Sequence, residues 1–193
     1  MKTIILKTLV LATLAAGQAY AAPISLDKTA SITARYNGNA ADIVGLDHDF
    51  QVEAGSNTTT LDPSNTGVEF LTADALFGFD FSTTGLLTVY NNLPAASNAD
   101  YRLTFDFDSG LAHPIASFTL VDGSGLASGV PGLTILGDHR IGLDLSGLVW
   151  TDGFGQFSAQ LGTTEVPEPA SAALLLAGAT GLAAARRKRT SRA

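Results

Sequence analysis

Short runs of alternating apolar and polar residues fill most of the chain between its two ends. The clearest run is 101–108, whose apolar members are Tyr101, Leu103, Phe105 and Phe107. Because successive side chains of a strand point to opposite faces of a sheet, this run predicts a half-buried strand. Weaker runs of the same kind predict further strands at 24–36, 42–53, 68–71, 76–81, 86–91, 116–121, 133–136, 140–145 and 155–161.

Turn-forming residues separate these runs, for example Asn37-Gly38-Asn39 and Asp152-Gly153. No window keeps a helical apolar stripe for three turns, and Thr58-Thr59-Thr60 is a single cluster without a fixed repeat. Eight to ten short strands with a turn at roughly every ten residues are typical of an all-β, antiparallel fold. We therefore expect a β-sandwich of jelly-roll or immunoglobulin type.

The first 21 residues have the pattern of a secretory signal peptide. Lys2 and Lys7 make the start basic, and an apolar stretch follows at 9–16. Ala19 and Ala21 supply the small side chains that signal peptidase requires before its cleavage site. The apolar stretch is short for a permanent membrane span, so we expect a cleaved signal helix and export.

The end of the chain contains a three-part pattern. Pro167-Glu168-Pro169 comes first, and its two prolines hold the backbone extended, as a protease substrate requires. The uncharged stretch 170–185 follows; as a helix its sixteen residues would be about 24 Å long, short against a bilayer core of about 30 Å. A basic cluster ends the pattern and is expected to stay in the cytoplasm; its members are Arg186, Arg187, Lys188 and Arg189.

This tail resembles the PEP-CTERM sorting signal. The resemblance implies that Pro167, Glu168 and Pro169 are recognised by an exosortase, a membrane-embedded cysteine transpeptidase, which cuts near this motif. It also implies a Gram-negative host, a precursor held transiently in the inner membrane, and a mature form at the cell surface or outside the cell. The expected organisation is a signal peptide at 1–21, an extracellular domain at 22–165 and a sorting signal with a short transmembrane helix at 166–189.

The formal charge of −7 for the whole chain combines the charges of two basic ends and an acidic middle part. Residues 22–167 contain four basic and 17 acidic side chains, which gives this part a formal charge of −13. Such an acidic domain is a poor partner for nucleic acid, because phosphate binding needs clustered lysine and arginine. The chain has no cysteine, which excludes disulfides, thiolate nucleophiles and zinc sites built on sulfur.

Candidate chemistry in the domain is sparse. Asp106 and Asp108 begin like a D-x-D-x-G calcium loop, but the EF-hand glutamate is missing at the twelfth position; with Asp122, they are the calcium candidates. No other cofactor is expected. His48 lies in an alternating run between two aspartates, whereas His113 and His139 lie in turns, and we interpret all three as surface or edge histidines.

We expect no enzyme activity and assign no catalytic residue. The resemblance of the tail favours a structural or adhesive role in the exopolysaccharide matrix or biofilm. The alternative is a lectin-like carbohydrate-binding module, with or without calcium, in which Trp150, Tyr90 or Tyr101 stacks on sugar rings. A small glycoside hydrolase with two acidic groups is a third reading, because 17 acids make such a pair available.

Overall fold

The computed structural model describes residues 22–62, 67–92, 100–108 and 110–163. These residues form fourteen strands and one turn of 3-10 helix, Leu46–His48. The strands are β1 (Ala22–Pro23), β2 (Ser31–Tyr36), β3 (Ile43–Gly45), β4 (Thr58–Thr60), β5 (Phe70–Thr72), β6 (Phe77–Phe81), β7 (Leu86–Asn91), β8 (Arg102–Asp106), β9 (Ile115–Asp122), β10 (Leu126–Ser128), β11 (Gly132–Gly137), β12 (Arg140–Asp144), β13 (Val149–Trp150) and β14 (Gln156–Thr163).

Every strand pair is antiparallel, and the strands form two main sheets. The seven-stranded sheet has the order β1-β14-β7-β6-β5-β3, with β9 also paired to β14. The five-stranded sheet has the order β11-β12-β8-β2-β4, and β10 pairs with β13 in a small separate sheet. The predicted all-β, antiparallel class is confirmed.

The two main sheets meet across a layer of phenylalanine rings. Phe105 of the five-stranded sheet lies 5.3 Å from Phe79 and 5.1 Å from Phe81 of the seven-stranded sheet, measured between ring centroids. Phe107 contacts Phe81 at 5.4 Å with the rings nearly perpendicular. These rings are fully buried, and each contributes about 2–3 kcal/mol of transfer free energy. The period-two alternation of apolar residues in the sequence therefore predicts correctly that these side chains form the core.

One buried carboxylate lies at the end of the β5–β6 pair. Glu69 is completely buried, and its two oxygens accept the backbone N–H groups of Phe81 at 2.6 Å and Asp62 at 3.0 Å. Burial raises the pKa of Glu69 to about 7, although these two donors oppose the shift. Glu69 thus accepts hydrogen bonds from two backbone N–H groups, but burial away from water disfavours its charged form.

The turn that joins β6 to β7 requires glycine. Gly85 has φ of +75°, and a Cβ atom at this position would lie 2.0 Å from Cγ2 of Ile24. Its N–H donates to the carbonyl of Ser82, which closes the turn. Glycine is therefore required here for two reasons: other residues are strained at this φ, and any Cβ atom would clash with Ile24.

The strand predictions for the middle of the chain need three corrections. The prediction of a strand over 42–53 is wrong, because only Ile43–Gly45 is extended. The carboxylate of Asp47 instead accepts the N–H and hydroxyl of Thr60, and Asp49 is left-handed with φ of 50°. The strand predicted at 24–36 begins only at Ser31. Four short strands were not predicted: β1, β4, β10 and β13.

The predicted signal helix, the apolar stretch 170–185 and the basic cluster 186–189 lie outside the described residues, as do Ala19, Ala21 and the Pro167-Glu168-Pro169 motif. Within the ranges that the structure describes, no helix has the length and apolarity to cross a membrane.

Candidate functional site

A polar groove lies on the outer face of the five-stranded sheet. Alternation along β2 and β8 buries Ala34 and Phe105 in the core, so Thr33, Arg35 and Thr104 face outward. The groove has a volume of about 570 Å³. Its lining residues are Thr33, Arg35, Gly38, Thr104, Asp106, Asp108, Leu136 and Arg140.

Two cross-strand ion pairs lie on this face. Arg140 lies opposite Asp106 in the β12–β8 register, with Nε to Oδ2 at 2.9 Å, and Arg102 lies opposite Asp144 at 3.3 Å. Partial burial opposes ionisation of Asp106, but the hydrogen bonds from Arg140 and from the N–H of Asp108 outweigh it and lower its pKa. The Asp106 carboxylate is therefore charged at neutral pH and already neutralised by a partner.

Arg35 differs from the other two arginines of this face. It is exposed on β2, opposite Thr104 of β8, and forms no ion pair with any of the described residues. None of the five N–H donors of its guanidinium bonds to a described residue, so they can reach an external acceptor. Thr33 lies beside it on the same strand face, and its hydroxyl is within 3.1 Å of the Thr58 hydroxyl. The groove thus combines a free guanidinium with neighbouring hydroxyls.

The basic residues of the domain are concentrated on this face. Residues 22–167 contain four basic side chains, Lys28, Arg35, Arg102 and Arg140, and the three arginines lie on the outer face of this one sheet. Asp106, Asp108 and Asp144 offset the charge of these arginines, so the face is about neutral, whereas the rest of the domain is strongly acidic and repels an anionic chain more.

The structure places two of the three calcium candidates together and the third on the other sheet. Asp106 and Asp108 lie together at the end of β8, where Asp108 has φ of 48° and donates its N–H to Asp106 Oδ1 at 3.1 Å. Asp122 ends β9 of the other sheet and accepts the N–H of Ser124. Within the described ranges no group of three or more acidic or histidine side chains is arranged to hold a metal ion. A cation at Asp106 would have to displace Arg140.

Two of the three aromatic candidates for sugar stacking are packed against the core. Tyr101 stacks on Tyr36 with ring centroids 6.0 Å apart, and Trp150 stacks on Phe157 at 5.8 Å. Tyr90 instead lines a pocket on the outer face of the seven-stranded sheet. Phe154, which was not among the sequence candidates, is 83% exposed in the turn before β14. Its only signal in the sequence is an isolated phenylalanine beside Asp152-Gly153.

The histidines are distributed over different parts of the fold. His48 lies in the 3-10 turn, where Nδ1 is 2.6 Å from Oε1 of Glu53, so its placement in an alternating strand was wrong. The backbone carbonyl of His139 accepts the N–H of Phe107. His113 lies in the segment before β9.

The comparisons with known proteins identify the tail. Residues 165–189 match the PEP-CTERM protein-sorting motif, which confirms the resemblance drawn from the sequence. The motif indicates an exported protein that an exosortase processes at the membrane. No curated protein and no solved structure matches the chain.

Proposed function

We propose that the processed protein is a non-catalytic component of the extracellular matrix of a Gram-negative bacterium, located at the cell surface or released, and that it adheres to exopolysaccharide. The observation that carries this proposal is the pairing of a PEP-CTERM motif with a domain whose arginines are gathered on one sheet face. The sorting route supports the role in biofilm or matrix, and the groove offers a surface for the contact.

Acidic polysaccharide fits the groove best. A carboxylate of the polymer would accept charge-assisted hydrogen bonds from Arg35, which has no competing ion pair among the described residues. The hydroxyls of Thr33 and Thr104 would bind sugar hydroxyl groups. One such contact is weak, but a polymer presents the same group many times and gains affinity through multivalency.

The second candidate is a lectin-like carbohydrate-binding module, which the threonine hydroxyls that line the groove favour. The version that relies on stacking by Tyr101 and Trp150 is less well supported, because both rings pack against core residues. Calcium dependence would need a ligand set beyond Asp106 and Asp108. A glycoside hydrolase with Asp106 as its general acid is the least supported reading, because the lowered pKa of Asp106 does not suit that role.

We further propose that the fold is a β-sandwich of jelly-roll or immunoglobulin type. The facing phenylalanine layers of the two antiparallel sheets support this assignment.

The test is co-sedimentation of the exported, processed protein with polygalacturonate and with dextran as the neutral control, each with calcium and with chelator. The proposal expects retention on polygalacturonate that falls with added salt, and little retention on dextran. Absence of retention on the acidic polymer in all conditions contradicts it. Equal retention on both polymers favours the lectin-like alternative.

A further inference from the structure

A second pocket lies on the outer face of the seven-stranded sheet. Alternation along β6 places Phe79 and Phe81 in the core, and Gly78 and Asp80 on the opposite side. The pocket has a volume of about 450 Å³ and is lined chiefly by Val68, Leu71, Gly78, Asp80, Tyr90 and Asn92. Gly78 has no side chain, and the side chains of Val68 and Leu71 lie close over its position: a Cβ atom there would be 3.3 Å and 3.4 Å from them.

Asp80 is the unusual residue of this pocket. Only 6% of its surface is exposed, and its Oδ1 is a buried atom that has no hydrogen-bond partner among the residues that the structure describes. The side chain of Tyr90 is hydrogen-bonded to the Asp80 carboxylate and holds it in the pocket. A buried acceptor without a donor is unfavourable, so a water, an ion or a ligand that brings a donor would stabilise it.

The surroundings of Asp80 are negative. Burial raises the pKa of Asp80, and the charge of Asp62 raises it further. Burial likewise raises the pKa of Tyr90, with the charges of Asp80 and Glu69 adding to the shift. Glu69 itself is engaged by two backbone N–H groups, which leaves Asp80 as the acceptor directed to a ligand. A ligand that brings a positive charge and N–H donors gains most here.

We propose that this pocket binds the protonated amino group of an amino-sugar residue, with the ammonium group donating to Oδ1 of Asp80. The apolar side chains of Val68 and Leu71 match the C–H face of a sugar ring, and Tyr90 adds an aromatic wall. The choice of a sugar as the carrier of the amine rests on the proposed matrix function. The site itself is separate from the arginine groove, because the two lie on different sheets.

The test is isothermal titration of the exported, processed protein with the glucosamine trimer, and with the N-acetylated trimer as the neutral ligand of equal length. We expect the glucosamine trimer to bind at least about tenfold more tightly than the N-acetylated trimer. Asp80→Asn should weaken glucosamine binding by about tenfold or more. Asp138→Asn removes the same charge from an exposed turn and should leave binding unchanged.

Three outcomes overturn the proposal: equal affinity for the two trimers, an unchanged affinity of Asp80→Asn, or no binding of the glucosamine trimer. Equally tight binding of trilysine overturns the assignment to a sugar. Tyr90→Phe, which removes only the phenol oxygen, serves as the second variant if Asp80→Asn fails to fold, and should weaken glucosamine binding. Both variants should still co-sediment with polygalacturonate, which keeps failure of this site distinct from failure of the proposed function.

Discussion

Arg140 of β12 lies directly opposite Asp106 of β8, and its guanidinium forms an ion pair with the Asp106 carboxylate. This pair occupies one side of the groove, so Arg35 across it is the arginine left for a ligand. A residue that the sequence suggested as a calcium ligand is therefore an internal counterion. A cation at Asp106 would have to displace Arg140, whereas the anionic polymer that we propose as the ligand would contact Arg35 instead.

Replacement of Arg140 by alanine should return the pKa of Asp106 toward its ordinary value, because the hydrogen bonds and charge that lower it are lost. The exposed location of the pair limits the change in unfolding free energy to about 0.5–1 kcal/mol. Carboxyl-detected NMR titration and urea unfolding measure the two quantities. Lys28→Ala removes a base that forms no ion pair among the described residues and is the control. An unchanged Asp106 titration in Arg140→Ala would show that the pair does not form in solution.

Glu69 should make the fold less stable as pH rises. Its pKa is about 7 in the folded protein against an ordinary value of 4.5, so the folded protein binds one more proton than the unfolded chain between these two pH values. The stabilisation is fully present below pH 4.5 and is lost as pH rises through about 7, and it amounts to roughly 3 kcal/mol.

Urea unfolding across this pH window measures the effect, and Glu69→Gln should flatten the slope. The groups with lowered pKa, including Asp106 and Asp144, change stability with the opposite sign and only at lower pH. Asp80 has a raised pKa and contributes with the same sign, so the informative quantity is the difference between the two proteins. An identical slope in Glu69→Gln would refute the assignment to this residue.

Gly85→Ala should destabilise the fold by more than about 1 kcal/mol, because it combines positive φ with a clash against Ile24. The matched control is Gly137→Ala, since a Cβ atom at Gly137 would have open space around it. Thermal unfolding of the two variants measures the difference. Equal melting temperatures would mean that the β6–β7 turn differs from the one described.

Some of this fold could be predicted from local pattern and some could not. The alternation of Leu103, Phe105 and Phe107 specifies their burial, because the period of a strand is a local property. The failed strand over 42–53 depends on a carboxylate of Asp47 reaching Thr60, thirteen residues away. Nothing in the sequence near Asp47 predicts such a contact.

The candidate site depends on strand order more than on local pattern. Arg35, Arg102 and Arg140 are far apart in sequence, and they converge only because β8 lies between β2 and β12. The burial of Asp80 depends in the same way on β7, which places Tyr90 beside it. Sequence reasoning identified Tyr90 as a candidate but had no means to pair it with Asp80.

Processing by an exosortase should remove the apolar stretch and basic cluster from the mature protein. Mass spectrometry of the surface or released form should find no peptide beyond about Pro167, because the motif at 165–189 directs cleavage there. A Pro167→Ala, Glu168→Ala variant should accumulate as the membrane-held precursor. Detection of an intact Arg186-Arg187-Lys188-Arg189 terminus on the released wild-type protein would contradict this route.

The most direct test of the central claim is the affinity of the exported, processed protein for polygalacturonate in Arg35→Ala and Lys28→Ala variants, which carry the same change in net charge. If the arginine groove is the contact surface, Arg35→Ala weakens binding by about tenfold, while Lys28→Ala stays within about twofold of the unmodified protein. Equal weakening in both variants would contradict the account and reduce the interaction to net charge alone.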